Sequence, residues 1–477
     1  MSIALRFRYT TWVCATFAIL AAGPVIFAAD ADAASTAPQD IAAEIQQLRT
    51  TIREQRAAID TLLQQVNAQE AALARMEART AGTASTRPGP PTFAAVAPVH
   101  RNVAPVDSTE RPKHWYERIN FRGYTQLRYS GIGETNPNLT CEQCDRGIGR
   151  RNGITIRRAR LVFSGDLSDH VSMYFQPDFA SNSSSLHFGQ IRDLYFDVAL
   201  DKDKEFRIRA GQSKVPFGFE NLQSSQNRLA LDRADAINSA VVNERDLGVY
   251  LMWAPTHIRQ RFKYLVDSGL KGSGDYGVLA AGVFNGQNAN RPEANTNLHK
   301  VARFSYPMQF RGGRIIEAGV QAYTGLYTVA ERGTSTRGPS TLPDRRIGLT
   351  FVVYPQPFGI QAEYNWGTGP VYTPAVQTLS SRELMGGYVQ LMHRKQVLSG
   401  AVTAFFKNQY YSGGKKYEFD ARRYLVRDNE LGIEWQFSPL VELTGMYTRA
   451  DRTYEDSRMP NNRHFGRLLR LQLQFNY

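Results

Sequence analysis

Cations stand at every second position in several short stretches of this chain. Arg158 and Arg160 alternate with Ala159 and Leu161, Arg207 and Arg209 with Phe206 and Ile208, and Arg261 and Lys263 with Phe262 and Tyr264. Arg122 and Arg128 share a face with Tyr124 and Gln126, while Phe121, Thr125, Leu127 and Tyr129 form the other face. Arg470 shares a face with Gln472 and Gln474. A period of two is the signature of a β-strand with unlike faces. Guanidinium and ammonium groups aligned on one such face draw anions, and guanidinium adds a forked pair of donors that fits an oxyanion. This is chemistry of binding and conduction. The eight histidines are scattered, no H-E-x-x-H occurs, and no glycine-rich nucleotide loop or EF-hand loop is present. No catalytic group, metal site or cofactor is expected.

The strands that would hold these cations are best seen at the chain's end, LLRLQLQFNY. Leu469, Leu471, Leu473, Phe475 and Tyr477 fall on one face, and Arg470, Gln472, Gln474 and Asn476 on the other. That division suits a wall between lipid and an aqueous lumen. From about residue 119 onward such runs recur between turn residues such as Asp201-Lys202-Asp203, Pro355-Gln356-Pro357 and Ser438-Pro439. They give about seventeen candidates, one of them spanning 261–267. Single-chain barrels favour even numbers, so sixteen strands are expected and eighteen is the alternative. Tyr116, Tyr129, Trp253, Tyr306, Tyr323, Tyr354, Trp366 and Trp435 lie near predicted strand ends, where aromatic girdles would put them. Mean hydropathy is −0.40. Beyond the extreme N-terminus no apolar run approaches the roughly 20 residues a spanning helix needs. The expected fold is all-β: a transmembrane antiparallel barrel over residues 117–477, preceded by an N-terminal coiled-coil helix.

Residues 1–29 read as an export signal, with Arg6 and Arg8 ahead of an apolar stretch and small residues around Ala28 to Ala31. Residues 41–79 carry a heptad seam: Ile45, Ile52, Ile59, Val66 and Leu73 at one position, Leu48, Gln55, Leu62, Gln69 and Met76 at the other. A left-handed coil is expected, placed in the periplasm. Residues 80–112, rich in Ala, Pro and Thr, read as a linker. Cys141 and Cys144 lie in CEQC among Pro137, Asn138 and Gly147, which reads as a loop carrying a small structural disulfide. A redox pair would open a helix, and a zinc site would need a second ligand pair. The net charge of +13 points to anions or anionic lipid. Nucleic acid is not expected, because the basic residues are spread along strands with no Lys/Arg-rich block or basic helix.

Residues 209–228, RAGQSKVPFGFENLQSSQNR, resemble the signature of the phosphate-selective porin O and P family in Gly211, Gln212, Lys214, Pro216, Phe217, Gly218, Glu220, Ser224 and Ser225. Residues 156–180 are similar to it in Arg157, Arg158, Ala159, Arg160, Gly165 and Asp178, and residues 245–248 continue the likeness. The resemblance implies a homotrimer of sixteen-stranded outer-membrane barrels, an inward-folded loop in each pore, and arginines leading to a lysine-bearing constriction. Arg158, Arg160 and Lys214 lie inside the matched motifs. Residues 215–245 are long for a hairpin and are expected to supply the inward loop, bringing Arg228, Arg233 and Arg245 into play. No lysine cluster marks a constriction. The expected function is passive diffusion of anions, such as phosphate, pyrophosphate or polyphosphate, through a lumen lined by Arg122, Arg128, Arg158, Arg160, Arg207, Arg209, Lys214, Arg228, Arg245, Arg261 and Lys263. The alternatives are a general or sugar-selective porin, an outer-membrane hydrolase, or a tether touching the cell wall through the coil.

Overall fold

The computed structural model describes residues 114–132, 153–180, 189–460 and 462–477, with residues 46, 49, 50, 53, 57 and 64 near the N-terminus. The chain divides into two units, Met1–Asp107 and Ser108–Tyr477. In the first, the described residues are helical, and Thr50 Oγ1 donates to the Gln46 carbonyl at 3.0 Å. The seam positions of the expected coil, the signal, the linker, Cys141 and Cys144 lie outside the described residues.

In the second unit the described residues form sixteen strands: β1 (Ile119–Ile132), β2 (Gly153–Asp166), β3 (Val171–Asp178), β4 (Gln190–Ala199), β5 (Phe206–Lys214), β6 (Arg245–Trp253), β7 (Leu279–Phe284) and β8 (His299–Gln309) make the first half. The second half is β9 (Ile315–Thr328), β10 (Thr341–Val353), β11 (Phe358–Thr373), β12 (Thr378–Val397), β13 (Gly400–Gly414), β14 (Arg423–Gln436), β15 (Val441–Glu455) and β16 (Asn462–Asn476). Each strand pairs antiparallel with its neighbour in sequence, and β16 returns to β1, so the sheet closes into a barrel. At the seam Gly123 and Tyr477 exchange backbone bonds, at 2.6 Å and 3.0 Å. A Cβ on Gly123 would meet the Tyr477 ring at 2.4 Å and the Arg160 carbonyl at 2.6 Å, so only glycine fits there.

Side-chain alternation then sorts the two faces. Leu431 and Ile433 on β14, Leu469 and Leu471 on β16, and Val249 and Leu251 on β6 are exposed on the outside. Asp428, Glu430 and Glu434, Arg470 and Gln472, and Arg209 and Lys214 are buried on the inside. The outer wall is therefore apolar and the polar groups pack within. Trp366 and Trp435 stand outward as a girdle would have them, whereas Tyr323 and Tyr354 turn inward and are buried.

Two connections fold into this interior. Residues 215–244, between β5 and β6, are buried almost throughout. They enter on Gly218, whose φ of +81° suits glycine, and form a short helix, Phe219–Leu222. Glu363 of β11 accepts from the Phe219 and Glu220 amides at 2.6 Å and 2.7 Å. The second connection, residues 254–278 between β6 and β7, comes from the opposite rim.

That second connection corrects one expectation. Residues 261–267 are not a strand but part of a helix, Thr256–Asp267, and they account for the supernumerary candidate. Phe262, Tyr264 and Val266 alternate, yet Ile258, Phe262 and Leu265 also fall at helical spacing, and these three are the buried ones. Glu205 fixes the helix start, accepting from the Thr256 amide at 2.6 Å and its hydroxyl at 2.8 Å. Arg261 and Lys263 accordingly leave the lumenal ladder: Arg261 donates to the Pro307 carbonyl at 2.7 Å, and Lys263 is exposed beside Asp267. After the helix, Leu270, Lys271 and Ser273 are buried inside the barrel. Gln223 of the first connection donates to the Lys271 carbonyl at 2.6 Å. Phe219, Leu265, Leu270, Ile315, Val352 and Tyr354 pack together there, so the two inserts meet against the wall.

Candidate functional site

β1, β2 and β5 aim the expected cations inward, and most meet carboxylates. Arg160 Nε lies 2.7 Å from Asp178, which the next strand places opposite it. Arg209 makes a two-pronged pair with Asp197 at 2.7 Å and 2.8 Å, and its guanidinium lies 3.9 Å over the Tyr195 ring. Arg207 pairs with Asp275 at 2.8 Å, and Arg245 with Asp193 at 2.7 Å and with Glu244. The basic faces are thus largely neutralised by acids from neighbouring strands and from the inserts.

The first insert is fastened in the same way. Asp232 faces Arg128 of β1 at 3.4 Å, Arg157 of β2 at 3.8 Å, and Arg470 of β16. One carboxylate therefore clamps the insert to the seam where the barrel closes. Across the lumen Glu220 pairs with Lys407 of β13, and Asp235 with Lys415 and Arg452. Arg346 of β10 donates to the Ala236 and Ser239 carbonyls at 3.2 Å and 3.1 Å. Lys214 donates to the Leu222 and Gln223 carbonyls at 2.8 Å and 2.9 Å, so its ammonium folds the insert back on its own root.

Two of the cations expected from the sequence stand apart. Arg158 donates to Gln126 at 2.6 Å, and its Nε has no hydrogen-bond partner. Arg228 donates to the Ala230 and Leu231 carbonyls, both at 2.9 Å, and its Nη1 has none. Both are buried, at 4% and 5% exposed, and neither forms an ion pair among the described residues. Arg228, Arg157 and Arg160 are the charged neighbours of Arg158. The Tyr124 and Ser225 hydroxyls, 2.7 Å apart, complete this corner, and Arg160 donates to both, at 2.8 Å and 3.1 Å. Arg122 is exposed nearer the chain ends, donating to Tyr174 at 3.4 Å. A buried N–H without an acceptor is costly, and an oxyanion reaching either nitrogen would satisfy it.

Asp178 and Glu220 stand in the motifs matched in the sequence, but not as partners of these cations, and the sequence reading missed Asp197, Asp232, Asp235 and Glu244. Asp193, Tyr195 and Asp197 follow the same period-two rule as the arginines, so that signal was available. The partners of Asp232 were not, because they depend on how the insert folds.

A closed sheet with an apolar outer wall, a charged inner wall and inward-folded connections defines a β-barrel channel of the bacterial outer membrane. The profile of the phosphate-selective porin O and P family matches residues 139–477, and the chain belongs to that family. Among solved structures it is similar to the outer membrane channel DcaP of Acinetobacter baumannii (12% identity, 75% of this chain and 97% of that one, TM-score 0.46). It is also similar to the anion-selective porin from Comamonas acidovorans (8%, 75% and 99%, TM-score 0.45). A third likeness is to a trimer form of OmpT, an outer membrane protein of Vibrio cholerae (11%, 75% and 99%, TM-score 0.44). No curated protein matches the chain.

Asp232→Asn keeps the clamp's shape and removes its charge while Arg128 and Arg470 stay buried. About 3–5 kcal/mol of barrel stability should be lost, read as a lower urea midpoint. The clamps also set a pH limit. Burial pushes the Glu244 carboxyl up, but Arg233, Arg245 and Arg192 outweigh it and hold it below the usual carboxylate range. Burial opposes ionisation of Asp232 likewise, and Arg128, Arg470 and Arg157 overcome it. Groups depressed in the folded state stabilise above their unfolded pKa and lose that contribution as pH falls. Amide protection across residues 225–244 should hold steady from about pH 8 to 5 and decline below about pH 4 in hydrogen exchange.

Proposed function

We propose that the barrel passes small inorganic anions across the outer membrane by passive diffusion, with phosphate, pyrophosphate and short polyphosphates as the favoured solutes. The observation that carries this reading is the pair Arg158 and Arg228, buried cations that form no ion pair among the described residues and each with a nitrogen left unbonded. The remaining cations set a positive field that their acids damp. Anions enter by the rim of the longer loops, which in such barrels faces outward. They exchange water for guanidinium donors at this corner, then leave past Arg122. Binding must be weak and shared over several sites, or the ion would not depart.

One observation favours a second reading, a sugar-selective channel. Tyr174 and Tyr195 stack at 5.1 Å inside the barrel, beneath Arg209 and near Tyr276. Such a surface suits a sugar ring or an aromatic solute.

We also propose that residues 41–79 form a periplasmic coiled coil that reinforces a homotrimer or contacts the cell wall, a reading the five-heptad seam supports.

In planar bilayers under a potassium chloride gradient, Arg158→Gln and Arg228→Gln should each reduce the anion-to-cation permeability ratio at least about threefold and weaken phosphate block of chloride current. Unchanged reversal potential and unchanged block in both variants would count against the assignment. Block by maltose exceeding block by phosphate would favour the second reading. Deleting residues 41–79 should lower the temperature at which the detergent-resistant oligomer dissociates or reduce wall association; no change in either removes the coil's proposed role.

A further inference from the structure

The outer wall is apolar through its middle but ends differently at its two rims. Toward the chain termini it ends in rings: Phe206 beside Trp253, Phe358 beside His393, and Trp435 beside Phe437. Toward the longer loops, on β14 to β16, it ends in arginines. Asn408, Asn429, Arg449 and Arg467 stand opposite one another in a single row across β13 to β16. Arg427 stands one step higher on β14, and all of these residues are exposed. The row immediately below is Phe406, Leu431, Tyr447 and Leu469, which faces acyl chains.

Height places the arginines at the membrane's edge. A tilted strand climbs roughly 2.5 Å per residue, so Arg467 lies about 20 Å above Phe475, close to the top of an apolar band about 25 Å tall. A cation there is tolerated, whereas one at mid-depth is not. Arg427 and Arg449 form no ion pair among the described residues, and Arg449 lies 5.8 Å over the Phe465 ring. Asp451, the acid within this group, is engaged by Arg463 at 3.1 Å. On β8 and β10 Lys300 and Arg345 stand at the corresponding edge, both exposed, with Glu383 of β12 in the same row. One cation, Lys395, also stands on the outer face toward the other rim.

We infer that Arg427, Arg449 and Arg467 form a docking surface for the phosphate groups of an anionic lipid in the outer leaflet. The chemistry is forked guanidinium donors meeting phosphate oxygens, directly above side chains that must already touch that lipid's acyl chains. Continuity with the lipid-facing rows selects membrane lipid over free phosphate as the source. This surface is separate from the lumen and does not depend on which solute the lumen carries.

The full chain, folded in neutral detergent, is titrated with bis-phosphorylated lipid A and with dephosphorylated lipid A in mixed micelles, bound lipid being counted by native mass spectrometry. The wild type should bind the phosphorylated form about tenfold more tightly, and Arg427→Gln/Arg449→Gln/Arg467→Gln should lose that preference. Millimolar inorganic phosphate should leave lipid binding unchanged. Folding is checked by heat-modifiable migration, and Arg449→Gln alone, with a smaller loss of the same preference, serves if the triple variant does not fold. A variant that keeps the full phosphate preference overturns the proposal. So does one that keeps it while the oligomer falls apart, since the row would then be a contact between subunits.

Discussion

A guanidinium pressed against acyl chains at mid-bilayer costs about 2–4 kcal/mol, and this penalty organises the whole second unit. Alternation offers each strand two faces. Leucine, valine and isoleucine take the lipid side, so the charged residues at mid-depth on the same strands must turn inward. There they face a second penalty, because a buried charge needs a partner. The barrel meets it with acids from three sources: the adjacent strand for Arg160 and Arg209, the first insert for Arg128, Lys407 and Arg470, and the second insert for Arg207.

The interior consequently behaves less like a water-filled tube lined by a ladder than like a polar core with a few uncommitted donors. The first insert is held at the seam by Asp232, across the lumen by Glu220 and Asp235, and at its root by Lys214. The second reaches it from the other rim through Lys271 and Leu270. Against that background we propose that the selectivity of the channel rests on what remains unmatched, with Arg158 and Arg228 as the pair that carries it.

Much of this was legible in the sequence. LLRLQLQFNY already states the two faces of β16, and the likeness around residues 209–228 marks the root of the inward segment. Two features were not. Phe262, Tyr264 and Val266 satisfy a strand's alternation while Ile258, Phe262 and Leu265 satisfy a helix's, and only packing against Ala254 and Val278 decides between them. Arg158 and Arg160 sit on one face of one strand, two residues apart, and look alike in sequence. Their difference comes from Asp178 on β3, which meets Arg160 and not Arg158, and from an insert that brings a further cation, Arg228, to the same corner. Period and motif fix which face a residue takes; they do not report which partner a distant segment brings to it.

If Arg158 and Arg228 remain available to an anion while their neighbours are already paired, an ion should settle beside them. Anomalous diffraction from crystals of the full chain soaked in bromide tests it most directly, because it locates the ion itself. A lumenal peak is expected within hydrogen-bonding reach of Arg158 Nε and Arg228 Nη1. Lumenal bromide found only beside other cations, with that corner empty, would contradict it.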